Sequence, residues 1–153
     1  MKKTIDITQS LKTDVLFSLN DSIITDINVL CDRLVLEFAE GITVVSNGTA
    51  KMVPARLYFE GVGEDDIKFY RLRRRTSRKG LKLRGTPVLL SEVITAIETK
   101  KISLEIIYFV YSEYVSVFKC EVYTKIPKIT KRFLDRFFIE ISTSSSIVLD
   151  LDY

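Results

Sequence analysis

The feature that most restricts the fold of this chain is an alternation of apolar residues at every second position. Leu34, Leu36 and Phe38 share one parity, and the same alternation recurs at residues 55–60 and 147–151. Successive side chains of a β-strand point to opposite faces, so each stretch predicts a strand with one buried face. Short strands separated by turn residues favour antiparallel pairing.

Turn signals separate these stretches. The strongest is Asn47-Gly48, because an Asn-Gly pair accepts positive φ. Gly41, preceded by a glutamate, predicts an earlier turn, and residues 61–66 predict a later one that leads into another strand. Residues 23–30 predict a strand of their own, so the first half of the chain is expected to be a series of hairpins.

One segment has the periodicity of a helix. Val93, Ile94 and Ile97 recur at helical spacing, Ser91 is placed to cap the N-terminus, and Lys100 lies where the helix dipole favours a cation. The pattern predicts a short helix of about ten residues from Ser91 to Lys100.

The segment from 130 to 141 supports two interpretations. Phe133, Phe137 and Ile141 fit helical spacing, whereas Phe137, Ile139 and Ile141 also alternate as in a strand. We expect a short helix at the start of this segment that runs into a strand.

These patterns together predict an α+β fold, mainly antiparallel β-sheet with one or two short helices. A chain of 153 residues, 46% of them apolar, is long enough to bury a core and is not expected to be disordered as a whole. We therefore expect a single domain of residues 1–153.

The segment from 102 to 123 is the most strongly β in character, with a reversal expected at Ser112-Glu113. Its apolar residues occupy both parities, which is typical of a strand that is buried on both faces. Either a second sheet from the same chain or a second copy of the chain would cover the second face. We expect a homodimer, with four aromatic residues at the contact. These are Tyr108, Phe109, Tyr111 and Tyr114.

A basic segment carries the charge of the chain. Eight of the fourteen residues from 71 to 84 are basic and none is acidic; without them, 15 Lys and Arg face 20 Asp and Glu. The basic residues are Arg71, Arg73, Arg74, Arg75, Arg78, Lys79, Lys82 and Arg84. This asymmetry predicts an exposed loop or long hairpin tip that binds an acidic protein surface or a nucleic acid.

A structural explanation of the basic segment is equally open. As a solvated loop it would offset the negative charge of the rest of the chain, or pair with neighbouring carboxylates across a hairpin. Those carboxylates are Glu60, Glu64, Asp65 and Asp66. Surface ion pairs of this kind contribute little free energy and leave no strong mark in a sequence.

Several catalytic and cofactor sites are excluded by composition. The chain has no histidine, which removes Ser-His-Asp and Cys-His arrangements and His-containing zinc sites. Its two cysteines cannot complete a tetrahedral metal site, and Gly61-Val62-Gly63 is followed by acids that would repel a phosphate. Acidic clusters at residues 64–66 and 150–152 are better explained as solvated turns and strand ends than as metal sites. We expect no cofactor, no metal and no enzymatic activity.

The expected compartment is the cytoplasm. No uncharged apolar stretch approaches the roughly 20 residues that span a bilayer, so no membrane association is expected. Asp6 and Lys12 interrupt the region where a signal peptide would be apolar. Cys31 and Cys120 are expected to be reduced and to behave as small core residues.

Residues 20–62 resemble the start of a group of small β-rich bacterial proteins. The matching elements are Asn20-Asp21-Ser22-Ile23-Ile24, the strand Leu34-Val35-Leu36-Glu37-Phe38 and the strand end Phe59-Glu60-Gly61-Val62. Some proteins of that group are classed as immunity proteins of polymorphic toxin systems, although many of them carry His where this chain has Asn20. The resemblance implies a non-enzymatic binder that neutralises a toxin, and it carries over no catalytic residue.

Three functions follow from these observations. The first is a non-enzymatic cytosolic protein, immunity-like, that acts by stoichiometric association with an acidic protein surface. The alternative is a nucleic-acid-binding protein that uses residues 71–84. The scarcity of aromatic residues beside the cluster argues against this alternative, because only Tyr70 flanks it. The third is an enzyme that relies on carboxylates or on Cys31 and Cys120.

Overall fold

The computed structural model describes residues 3–7, 16–112, 115–124, 132–142 and 145–151, and at 73–77, 80–84, 124 and 132–135 it describes the backbone only. Twelve β-strands, one α-helix and one short 3-10 turn at Glu64–Asp66 lie in these ranges. The strands are β1 (Lys3–Asp6), β2 (Leu16–Ser18), β3 (Ile23–Ile24), β4 (Asp26–Leu30), β5 (Arg33–Ser46), β6 (Thr49–Glu60), β7 (Ile67–Ser77), β8 (Gly80–Val88), β9 (Ile102–Tyr111), β10 (Val115–Thr124), β11 (Arg132–Ser142) and β12 (Ser146–Leu151). The helix, α1, is Leu90–Glu98.

The strands form two six-stranded sheets. The first has the order β1-β12-β6-β5, with β4 and β2 both paired to the outer edge of the long β5. The second has the order β3-β9-β10-β11-β7-β8. Every pairing is antiparallel, so the prediction of a mainly antiparallel sheet with hairpins is confirmed. The predicted strand at residues 23–30 is divided at Thr25, and its two parts, β3 and β4, lie in different sheets.

The two sheets pack face to face around one apolar core. The ring of Phe59 in the first sheet meets Phe109 and Phe118 in the second edge-on, at centroid distances of 6.3 and 6.0 Å. The predicted inward residues of β12 are fully buried, as are Leu57 and Phe59 of β6. A second sheet from the same chain therefore covers the inner face of β9 and β10. Their outer face is open in a single copy of the chain, with Val110 56% exposed, so one chain buries only one face of these strands.

The turn predicted at Gly41 is wrong, because β5 continues through it as a β-bulge. Phe38 pairs with Ala55 and Ile42 with Val53, so three residues of β5 lie opposite the single residue Pro54. A bulge is one of the few places where a strand tolerates proline, which has no N–H to donate to the ladder. The following Asn47-Gly48 turn is confirmed, with φ of 51° and 76°.

Helix α1 confirms the predicted helix, although not its cap. The N-cap position lies two residues earlier than expected, so Ser91 is inside the helix; Leu89 occupies the N-cap position and makes no side-chain cap hydrogen bond. Val93 and Ile97 are buried, and the helix packs against β4, β7 and β9. No helix in the described ranges is long and apolar enough to cross a bilayer.

The strand interpretation of residues 130–141 is correct from Arg132 onward, where β11 begins. Phe137, Ile139 and Ile141 are buried along one face of β11, as an alternating pattern requires. The helix expected from the spacing of Phe133 and Phe137 is therefore wrong in this part, and residues 125–131 lie outside the described residues. Pairing with both β10 and β7 decides the matter, because tertiary contacts override a local helical period.

Candidate functional site

The basic segment forms a two-stranded antiparallel ribbon. β7 pairs with β11 as far as Leu72, which lies opposite Arg136, and beyond that pair β8 is its partner. The ribbon continues from residue 73 to residue 84, and its turn carries the exposed Arg78 and Lys79. Five paired residues on each strand correspond to about 17 Å of ribbon. Of the two predictions for this segment, a loop or a long hairpin tip, the hairpin is the one observed.

The register gathers most of the cations on one face of the ribbon. Arg73 lies opposite Arg84, and Arg75 lies opposite Lys82. Arg71, one step nearer the sheet, has the same parity and is half-buried. Because residues opposite each other share a face, five of the eight predicted cations lie on this face, which is called the cationic face below.

The remaining cations lie elsewhere on the ribbon. Arg74 belongs to the opposite face, together with three leucines, and Arg78 and Lys79 are in the turn. The leucines of that face are Leu72, Leu81 and Leu83. The ribbon is therefore amphipathic, a property that the sequence reading did not predict because it depends on the register between β7 and β8.

The backbone register sets like-charged residues opposite each other on the cationic face. Like charges directly opposite each other on neighbouring strands destabilise a hairpin. The pairs Arg73–Arg84 and Arg75–Lys82 are both of this kind. An anion that binds between the strands would relieve the repulsion, because it sits close to several cations at once.

Two of the carboxylates expected to offset the ribbon have other partners. Glu60 accepts a hydrogen bond from Arg33 Nε at 2.9 Å across β5 and β6, and this bond raises the pKa of Arg33. Asp66 accepts a hydrogen bond from the backbone N–H of Gly63 at 2.9 Å within its own turn. Pairing of the ribbon with these two acids therefore receives no support from the contacts they make.

A row of aromatic and cationic side chains crosses the outer face of the second sheet. Tyr108 in β9 lies opposite Lys119 in β10, Lys119 opposite Phe138 in β11, Phe138 opposite Tyr70 in β7, and Tyr70 opposite Pro87 in β8. The ammonium of Lys119 lies over the ring of Tyr108, 5.8 Å from its centroid. These five residues are called the aromatic row. The sequence suggested that Tyr70 was the only aromatic residue beside the basic segment. The register adds Phe138, which lies opposite Tyr70.

The aromatic residues expected at a homodimer contact do not lie on one surface. Phe109 points inward and stacks on Phe118 at a centroid distance of 4.4 Å, and Tyr111 stacks on Phe109 at 5.5 Å. Tyr108 faces outward as part of the aromatic row, and Tyr114 lies outside the described residues. The homodimer stays a prediction, and Tyr108 is the described member of the set best placed to meet a partner.

The cysteines occupy contrasting environments. Cys120 is fully buried, and its desolvation raises the pKa of the thiol far above the ordinary value, so its thiolate is disfavoured. Cys31 is exposed in the β4–β5 turn with a φ of 53°, so its prediction as a core residue is wrong. Both are free thiols, which agrees with the expectation of reduced cysteines.

The acidic clusters bring together no evident metal site. Among the described residues, no three His, Cys, Asp or Glu side chains are grouped closely enough to hold a metal ion. Asp150 accepts a hydrogen bond from Thr4 Oγ1 at 3.2 Å, and Asp152 lies outside the described residues. Glu64 and Asp65 line a cleft of about 710 Å³ between β7 and α1 whose other walls are mostly apolar.

Comparison with protein-family models, with curated protein sequences and with solved structures gives no match.

Proposed function

We propose that this chain is a non-enzymatic binding protein that recognises nucleic acid through the cationic face of the β7–β8 ribbon. The register of β7 and β8 carries this proposal, because it sets cations opposite cations in two consecutive rows. Such repulsion destabilises the hairpin, and an anion bound at this face would offset it. A nucleic acid carries regularly spaced phosphates, and Arg binds phosphate oxygens with a bidentate geometry.

The same register explains why nucleic acid is favoured over an acidic protein surface. Arg71, Arg73 and Arg75 recur every second residue, about 7 Å apart along the strand. A phosphate backbone supplies charge continuously along such a line, whereas carboxylates on a protein surface are usually interspersed with cations. The outer sheet face beside the ribbon also carries aromatic residues, which the sequence alone did not bring together.

The test measures the salt dependence of binding. Fluorescently labelled single-stranded and duplex oligonucleotides are titrated with the protein at several salt concentrations, and binding is followed by anisotropy. If five cations contact phosphates, log K falls with log salt with a slope of about −3.5 for single strands or about −4.5 for duplex. The double variant R73E/R75E should bind at least about tenfold more weakly, with a slope shallower by about two.

A matched control carries the same change of net charge. Lys3 and Lys51 are exposed and belong to the first sheet, so K3E/K51E should alter affinity and slope much less than R73E/R75E. Equal losses in the two double variants would mean that net charge and not the ribbon drives binding. Absence of binding to any oligonucleotide at low salt would reject the proposal and leave association with an acidic protein as the function. The immunity-like role implied by residues 20–62 stays a prediction in that case.

A further inference from the structure

The outer face of the second sheet has the features of a surface on which bases stack. Tyr108, Phe138 and Tyr70 lie in one row, and three strand spacings separate the first from the last, about 14 Å. Tyr108 is 37% exposed, while Phe138 and Tyr70 are half-buried, so their rings are held by the sheet and partly open to solvent. Lys119 stands between the aromatic residues of β9 and β11.

We infer that the aromatic row is a base-stacking surface and that the nucleic acid bound by the ribbon is single-stranded. This inference rests on the proposed function, because the row alone has few cations to hold a backbone. Stacking of bases on aromatic side chains, with cations tracking the phosphates, is how proteins bind single strands without sequence preference. The bases of a duplex already stack on one another and offer no face to such a row.

The geometry also explains how one ligand reaches both surfaces. Arg71 and Tyr70 are neighbours in β7, yet strand alternation places them on opposite faces of the sheet. β8 is the edge strand, so a nucleic acid can pass around it from the cationic face to the aromatic row. Duplex DNA has a persistence length of about 50 nm and cannot make that bend within one ribbon, whereas a single strand can.

The acidic residues of the outer face lie beside the row and not within it. Glu121 accepts a hydrogen bond from the hydroxyl of Tyr123 and has Arg136 at 3.7 Å, so nearby groups compensate part of its charge. Glu140 lies opposite Lys68 in the register between β11 and β7. No carboxylate therefore occupies a register position within the row, although Glu64 and Asp65 line the cleft that also contains Tyr70 and Pro87 at its end.

The experiment compares probes of similar charge that differ in their bases. The full chain is titrated with a 20-nucleotide oligo(dT), with a duplex of ten base pairs and with inorganic polyphosphate, so that each probe carries about 20 phosphates. The chain has seven tyrosines and no tryptophan, so its intrinsic emission comes from tyrosine, and the variants at Tyr108 and Tyr70 show how much of any quenching arises in the row. We expect oligo(dT) to bind more tightly than the duplex and to quench this emission, and polyphosphate to bind without comparable quenching.

The variants Y108L and Y70L remove the stacking rings but keep apolar volume. Each should weaken oligo(dT) binding about tenfold, leave polyphosphate binding and the salt slope unchanged, and reduce quenching. Y58L, which removes a half-buried tyrosine from the outer face of the first sheet, serves as the control and should bind oligo(dT) as the parent chain does. Tyr108 is more exposed than Tyr70, so Y108L still tests the inference if Y70L misfolds. Circular dichroism verifies the fold of each variant.

The outcomes distinguish the single-strand inference from the proposal that the ribbon binds nucleic acid. Duplex binding as tight as oligo(dT) binding, or Y108L and Y70L variants that bind oligo(dT) like the parent chain, would overturn the single-strand inference while the ribbon proposal stands. Failure to bind oligo(dT), duplex and polyphosphate would overturn both. Binding of polyphosphate alone would mean that the ribbon recognises an anion that is not a nucleic acid, and would likewise overturn both.

Discussion

Replacement of Gly41 by alanine should destabilise the protein more than any other glycine-to-alanine change in a described turn or bulge. Gly41 has a φ of 101°, and a Cβ built there would lie 3.0 Å from the backbone N of Val53 and 3.2 Å from its carbonyl carbon and oxygen. The conformational cost of positive φ is roughly 1–2 kcal/mol. The contact adds about 1–3 kcal/mol, because the clashing atoms belong to the backbone of β6 and cannot rotate away.

The combined loss in free energy of unfolding is about 2–5 kcal/mol. For a chain of this size each kcal/mol lowers Tm by roughly 2–4 °C, so we expect a decrease of about 6–12 °C for a loss near the middle of that range, ~3 kcal/mol. Thermal unfolding followed by far-ultraviolet circular dichroism, together with urea denaturation, measures the change. The slope of the urea transition should be unchanged, since the variant alters a local contact and not the surface exposed on unfolding.

Gly48 supplies the matched control. Its φ is 76°, but a Cβ there would meet no atom within 4 Å. Gly48→Ala therefore isolates the conformational term, and the difference between the variants measures the contact with Val53. If Gly41→Ala proves no more destabilising than Gly48→Ala, β5 is not held against β6 at the bulge as described, and the reasoning fails.

Three further predictions concern individual side chains and association. Cys31 should react with a thiol reagent in the native protein, whereas Cys120 should react only on unfolding; equal native rates would contradict its burial. The hydrogen bond to Glu121 raises the pKa of Tyr123 to about 12, above the unfolded value near 10, so its stabilisation is present below pH ~10 and is lost as pH rises toward 12. Tyr123→Phe should remove that alkaline dependence of stability and the step near pH 12 in a tyrosine absorbance titration, and a parent-like titration would refute the assignment. Light scattering at micromolar concentration tests the homodimer, and a monomer mass that does not change on dilution would exclude it.

Local patterns predicted much of the fold. Alternation located most of the strands, and the Asn47-Gly48 pair fixed its hairpin, because both signals act between near neighbours in sequence. The turn predicted at Gly41 was wrong because a glycine at positive φ is suited to a turn and to a bulge alike. Only the pairing of β5 with β6 distinguishes the two. The helical spacing at Phe133 failed for a similar reason, because pairing with β10 from Arg132 and with β7 from Arg136 holds that segment extended.

The candidate site was predictable only in part. The basic residues are contiguous in sequence, so their clustering is visible without a structure. The cationic face cannot be predicted from the sequence, because it depends on which residue of β8 pairs with Arg73. The aromatic row is still harder to predict from the sequence. Tyr70, Tyr108 and Phe138 come from three separate strands, and only the register of the whole sheet aligns them.

The position of β8 at the edge of its sheet has a consequence for solubility. An exposed edge offers unpaired backbone groups to any other strand, and a long uncharged edge is a template for aggregation. β8 carries Lys82, Arg84 and Pro87, which are the residue types that natural edges use to repel a second copy. Neutralising the ribbon, by substitution or by an anion too small to cover it, would remove this protection. Chains stripped of these charges should therefore associate edge to edge through β8, and their precipitation would begin at this strand.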